Sequence, residues 1–260
     1  MDLKLNNKYA LVCGSTAGIG KATAIALAEE GMHITLIARN ENKLKTVLSQ
    51  LSNPEIHNYI VADFSNPTEL KEQVETYIKN NHGFHVLVNN TGGPSGGPIF
   101  NASIEAFENA FTQHLKCNHI LAQTLVPFMK SAGFGRIINV ISTSVKQPLD
   151  GLGVSNTIRG AVASWSKTLA NELGEFGITV NNVLPGATNT ERLNEIIKNK
   201  STKTGKTEAE TANTMKSTIP AKRFAKPEEL AAAITFLASE CAGYINGINL
   251  PVDGGRTKSL

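Results

Sequence analysis

The sequence predicts an α/β fold built on a single doubly wound parallel sheet of about seven strands, with helices on both faces. Three observations predict it. Short apolar, β-branched runs recur along the whole chain, at 9–13, 33–38, 56–62, 85–89, 135–141, 178–184 and 245–252. Longer segments with apolar residues at helical spacing lie between them, as at 104–130, 154–175 and 227–239. A glycine-rich turn follows the first run directly.

Each element follows from simple chemistry. Strands that alternate with helical segments pair in parallel, because parallel neighbours need a long crossover connection. The runs are continuously apolar rather than alternating, which suits strands covered by helices on both faces. With 260 residues, 41% of them hydrophobic, the chain can bury one sizeable core. No internal repeat or linker divides it, so residues 1–260 are read as one domain. One segment breaks the pattern. Residues 191–217 are polar and rich in Thr and Lys, which fits either a lid over a site or a disordered insertion. Its basic stretch, 198–206, reads as solvated and mobile.

Composition excludes several functions. The formal net charge is only +3 and the lysines are scattered, which does not make a nucleic-acid surface. Three dispersed cysteines, Cys13, Cys117 and Cys241, give neither a disulfide framework nor a zinc site. The six histidines are also dispersed, so no metal is expected. No run approaches the ~18 apolar residues of a membrane helix, and the polar start lacks a signal-peptide core. The expected location is cytoplasmic.

The turn after the first run contains Gly14, Ser15, Thr16, Gly18, Ile19 and Gly20, then a helical pattern. Glycines there permit a tight turn and close approach of the backbone to a pyrophosphate. The charge of that group then sits at a positive helix N-terminus. A purely structural glycine turn is the alternative. Its position between the first strand and first helix favours a dinucleotide site.

The G-x-x-x-G-x-G spacing resembles the short-chain dehydrogenase/reductase family, a Rossmann-type fold. Further motifs carry the resemblance over nearly the whole chain. Asn89-Asn90-Thr91-Gly92 is similar to the family's N-N-A-G stretch, and Asp63 matches its adenine-side Asp. The segment from Pro185 and Gly186 through Thr188 to Thr190 resembles the family's P-G-x-x-x-T. In the family this segment reaches the nicotinamide carboxamide and phosphates. The ending through Asp253-Gly254-Gly255 is similar to the 3-oxoacyl-acyl-carrier-protein reductase branch. Together these imply that Gly14, Ser15, Thr16, Gly18, Ile19, Gly20, Asp63, Asn89, Thr91, Gly92, Pro185, Gly186, Thr188 and Thr190 bind the cofactor.

The end of the second strand bears on which dinucleotide binds. An acid there would accept hydrogen bonds from a ribose 2′-hydroxyl. The strand instead ends in Ala38-Arg39-Asn40, and Arg39 can pair with a 2′-phosphate. NADP is therefore preferred over NAD. Ala17, where NADP binders of the family often carry a second basic residue, is a departure.

The resemblance also implies a catalytic Asn, a Ser and a Tyr-x-x-x-Lys pair. Only the Ser survives, as Ser142; the other positions hold His114, Ser155 and Arg159. A serine hydroxyl is far too weak an acid to replace a phenol of pKa ~10 already lowered by its neighbours. Arginine stays protonated and cannot relay a proton, although it can still hold the cofactor's ribose or polarise a substrate. Two readings stay open. One is an NADP-dependent oxidoreductase acting on a small-molecule carbonyl or acyl thioester, with Ser142 and Arg159 polarising it and water or His114 supplying the proton. The other is a catalytically impaired dinucleotide-binding sensor or interaction protein.

The loop Thr91-Gly92-Gly93-Pro94-Ser95-Gly96-Gly97-Pro98 should border the nicotinamide pocket, since ligands in this fold bind beyond the carboxyl ends of the strands. By resemblance alone, the helices at 104–130 and 154–175 form a dimer interface. A homotetramer or homodimer follows.

Overall fold

The computed structural model describes residues 1–259. Strands β1 (Tyr9–Cys13), β2 (His33–Ala38), β3 (Asn58–Val61), β4 (Val86–Asn89), β5 (Gly135–Val140), β6 (Ile178–Pro185) and β7 (Asn249–Val252) form one sheet. Its order is β3-β2-β1-β4-β5-β6-β7, and every pairing is parallel. The winding reverses between β1 and β4, which opens a crevice at the carboxyl ends of those strands.

Helices α1 (Gly18–Glu29), α2 (Glu41–Leu48) and α3 (Pro67–Asn80) connect the first four strands. Helices α4 (Ile104–Phe111) and α5 (Cys117–Ala132) precede β5, and α6 (Gly153–Leu173) precedes β6. Helices α7 (Glu191–Thr204), α8 (Glu208–Ser217) and α9 (Pro227–Ala238) lie between β6 and β7. Successive strand residues point to opposite cores. Val12, Leu36 and Val88 meet Leu27, Leu230 and Ile234 on one face. Leu11, Ile37, Leu87 and Ile137 meet Leu121 and Leu125 on the other. A Leu→Ala change in either layer costs about 2–5 kcal/mol.

The structure refines the sequence reading in three places. The segment expected as one helix over 104–130 is broken by a π turn, Thr112–Lys116, between α4 and α5. Strands β3 and β7 are shorter than their apolar runs. β3 begins late because Pro54–Ile56 is a 3-10 turn. Residues 191–217 are neither a disordered insertion nor irregular, and the basic stretch 198–206 is largely helical. Thr190 caps α7 by accepting from the Leu193 amide at 3.3 Å. Gly205, at φ +69°, ends it. Thr207 and Glu210 form a capping box that starts α8.

A row of asparagines crosses the sheet from the end of β4 to the start of β7. Asn89, Asn139, Asn182 and Asn249 are register partners on β4 to β7. Asn89 Nδ2 donates to Asn139 Oδ1 at 2.9 Å, and Asn139 Nδ2 to Asn182 Oδ1 at 3.0 Å. Asn182 Nδ2 then donates to Asn249 Oδ1 at 2.8 Å. Each side-chain NH2 from Asn89 to Asn182 thereby finds a partner on the next strand, while Asn89 Oδ1 is buried without one. The row fixes the floor on which the loops after β4 and β5 stand.

Candidate active site

The glycine turn is shaped by contact with the loop after β4. Gly14 and Gly18 have φ of +57° and +53°, in the region that favours glycine. Asn90 Nδ2 donates to the carbonyls of Cys13 and Gly14, both at 3.3 Å. A Cβ on Gly20 would lie 2.7 Å from that same Nδ2, so the turn closes only with glycine. Helix α1 then begins with no side-chain cap and no acid in its first turn. Its leading amides are left for an anion. Ser15 is buried, its hydroxyl 3.5 Å from the Ile37 carbonyl, whereas Thr16 and Ile19 are half-buried.

Other strand ends complete the cradle. The Thr190 methyl would stand 3.0 Å from a Cβ on Gly18, so this turn and the segment after β6 face each other. Thr188 donates to the Gly186 carbonyl at 3.1 Å and Thr190 to the Thr188 carbonyl at 3.3 Å, which folds the stretch after Pro185 into a tight path. Asp63 accepts from the Ser65 amide at 2.9 Å and shapes the turn after β3. Arg39 is exposed beyond β2 and makes no ion pair among the described residues. Asn89 is different from these. Only 2% exposed, it donates through Nδ2 to Asn139 and ties β4 to β5.

Thr91, His114 and Arg159 come together beside the loop after β4. Thr91 Oγ1 and His114 Nδ1 share a hydrogen bond of 2.5 Å. His114 lies in the π turn, which aims its ring at the loop after β4. Burial, with the nearby Arg159 charge second, pushes its pKa down to about 2. The ring is therefore neutral at physiological pH and is no imidazolium acid.

Arg159 is 7% exposed, and its Nη1 donates to the Val140 carbonyl at 3.2 Å. It has no carboxylate partner among the described residues. Burial lowers its pKa to about 10, so it remains a cation at neutral pH. Ser142 accepts from the Ser144 amide at 3.1 Å, which leaves its O–H free to donate. Ser155 lies one turn before Arg159 on α6, half-buried. Gly92 and Gly93 leave open space above, and a Cβ on Gly93 would sit 3.9 Å from Arg159 Nη2.

The family model described as enoyl-(acyl carrier protein) reductase matches residues 14–257. The NADPH-dependent reductase BacG of Bacillus subtilis is 30% identical over 98% of this chain and 100% of its own. The chain belongs to the short-chain dehydrogenase/reductase family. Dehydrogenase/reductase SDR family member 4 of Bos taurus is 30% identical over 98% of this chain and 89% of its own. The structure of L-sorbose reductase from Gluconobacter frateurii, complexed with NADPH and L-sorbose, superposes with a TM-score of 0.93. Its identity is 33%, with 100% of both chains covered.

Against the short-chain dehydrogenase/reductase pattern, the departures converge. The residues expected at the positions of the family's Asn, Tyr and Lys are His114, Ser155 and Arg159, and Thr91 stands where N-N-A-G has Ala. The sequence reading placed Thr91 at the cofactor but missed that it meets His114. The four tyrosines lie elsewhere in the fold. Tyr9 begins β1 at the far end of the sheet, Tyr59 and Tyr77 lie on β3 and α3, and Tyr244 is fully exposed. The sequence reading also missed Arg192, at the start of α7, whose Nη2 donates to the Pro94 carbonyl at 3.0 Å. A basic residue two places into a capped helix carries no signal of that contact.

Proposed function

We propose that this chain is an NADPH-dependent oxidoreductase that reduces a carbonyl group, in a small molecule or an acyl thioester, to an alcohol. The carrying observation is a buried, uncompensated Arg159 at the same end of the sheet as an uncapped glycine cradle. Relatives named as NADPH-dependent or solved with NADPH support the choice of dinucleotide, as does the free Arg39.

The cradle residues suit the cofactor. Gly14, Gly18 and Gly20 would receive the pyrophosphate at the N-terminus of α1, Arg39 the 2′-phosphate and Asp63 the adenine side. Thr188 and Thr190 would reach the nicotinamide end. Bound NADPH supplies a hydride to the carbonyl carbon. Ser142 donates its O–H to the carbonyl oxygen, and the fixed charge of Arg159 stabilises the negative charge that develops there. A water molecule gives up the proton that completes the alcohol, and neutral His114 with Thr91 orients polar groups beside it. Residues 191–217 act as a lid, held to the loop after β4 through Arg192.

Exposed Phe100, Ile104 and Phe111, 96%, 73% and 47% accessible, would be covered in a homodimer or homotetramer, and light scattering reads the copy number. A second reading is a dinucleotide-binding sensor. It is favoured by one observation: neither Ser155, Arg159 nor neutral His114 is an acid of useful strength. NADPH oxidation with a 3-oxoacyl thioester and a panel of small carbonyl compounds separates the two. Substrate-dependent turnover supports the enzyme, and NADPH binding with no turnover supports the sensor.

A further inference from the structure

A cation removed from water without a counter-charge is costly to a folded protein. Arg159 is such a group. Of its N–H donors only those on Nη1 have a protein partner, the Val140 carbonyl, and no acid pairs with it among the described residues. The anchored Nη1 leaves the Nε–Nη2 edge of the guanidinium free, and Nη2 lies under Gly93, where no side chain intervenes. That edge is the planar fork that takes both oxygens of a carboxylate.

The neighbouring groups add a further donor. Ser155, one turn earlier on α6, makes no side-chain hydrogen bond among the described residues, and α6 begins without a side-chain cap. At the next residue of the loop, Arg192 holds the Pro94 carbonyl at 3.0 Å while its Nη1 pairs with Glu195 at 3.2 Å, so Arg159 is the uncompensated cation beside Gly93. His114, whose ring feels the Arg159 charge, is held neutral by burial and does not compete for an anion. A neutral keto-sugar would leave Arg159 without its counter-charge, whereas an oxo acid supplies it.

We infer that the carbonyl substrate is a small oxo acid, whose carboxylate is held by the free edge of Arg159 and by the Ser155 hydroxyl. This rests on the reductase reading above and names its substrate class; because the carboxylate takes up the Arg159 charge, Ser142 is then the donor to the carbonyl oxygen. Arg192 admits the anion by releasing Pro94.

The test uses oxamate, a carboxylate-bearing analogue of a 2-oxo acid, and its neutral methyl ester. Each is titrated calorimetrically into the NADP⁺-loaded protein at fixed ionic strength. Oxamate should bind about 10-fold or more tightly than the ester, the range expected of a charge-assisted hydrogen bond. Arg159→Met should remove that preference while leaving NADP⁺ affinity within about 3-fold, and Arg159→Lys, which keeps the charge, should retain part of it. Thermal melts of both variants report whether they fold. Equal affinity for acid and ester in the wild type overturns the inference. So does a loss of NADP⁺ affinity in Arg159→Met with the oxamate preference intact, which would assign the arginine to the cofactor. Failure of NADP⁺ itself to bind overturns the reductase reading instead, and oxamate titrated into the cofactor-free protein then decides the anion site on its own.

Discussion

Thr91 Oγ1 and His114 Nδ1 lie 2.5 Å apart, joining the loop after β4 to the π turn between α4 and α5. Two polar residues from separate segments of the chain are thus one contact. The bond gives the imidazole a hydroxyl partner in either ring tautomer. It explains how a buried histidine is tolerated beside Arg159 without becoming charged.

The neutral state of His114 has a kinetic consequence. Its pKa, lowered to about 2, lies far below the ordinary value near 6.5, so it does not titrate across the working range. The pH profile of kcat/KM for NADPH oxidation should therefore show no limb near pH ~6.5 that depends on this residue. A limb there in the wild type that vanishes in His114→Asn would show that His114 titrates as a catalytic acid or base.

Restoring the missing acid should raise activity. In the Ser155→Tyr/Arg159→Lys double variant, a phenol and its lysine return to the face where hydride arrives. Turnover of a neutral ketone such as L-sorbose should rise by about 10²-fold or more over wild type, the usual contribution of a positioned general acid. An unchanged rate, with NADPH still bound, would mean that proton supply does not limit the native site.

Much of this was legible in the residues themselves. The glycine turn and its place after β1 announce a dinucleotide cradle, because only glycine accepts those backbone angles and that closeness to Asn90. The parallel sheet follows from continuously apolar strands. What stayed hidden depends on distance in sequence. Thr91 and His114 are separated by a loop and a helix, and a π turn has no residue signature. The helices of 191–217 were obscured by Thr and Lys, which weaken an apolar stripe, although the Thr207–Glu210 capping box was present in the letters. The asparagine row was invisible because each member looks like an isolated polar residue within an apolar strand.

That row should be costly to break. Asn139→Ala leaves Asn89 Nδ2 and Asn182 Oδ1 without their shared partner inside the sheet. Each stranded group costs about 1–3 kcal/mol, so the urea midpoint should fall clearly. A midpoint equal to wild type would mean that the ladder contributes nothing to stability.

Acid should weaken the opposite end of the sheet. His57 Nδ1 accepts from the Ile34 amide at 3.0 Å and His85 Nδ1 from the Tyr9 amide at 3.1 Å, so each ring must be neutral at that nitrogen. Burial lowers the pKa of His57, His82 and His85. The unfolded chain therefore takes up protons first as pH falls. Stability is complete above the unfolded value of ~6.5 and declines below it. Urea midpoints at about pH 7.5 and pH 5.5 should differ in that direction, and His57→Gln with His85→Gln should reduce the difference. Identical midpoints at both pH values would contradict the assignment.

The central claim is that hydride leaves NADPH at a site without a tyrosine. NADPH dideuterated at C4 of the nicotinamide, incubated with the wild-type protein and a panel of oxo acids and neutral ketones, tests it most directly by mass spectrometry of the products. One deuterium on the former carbonyl carbon of an oxo acid is the predicted result. NADPH that binds tightly yet passes deuterium to no compound in the panel would contradict it and leave a dinucleotide sensor in its place.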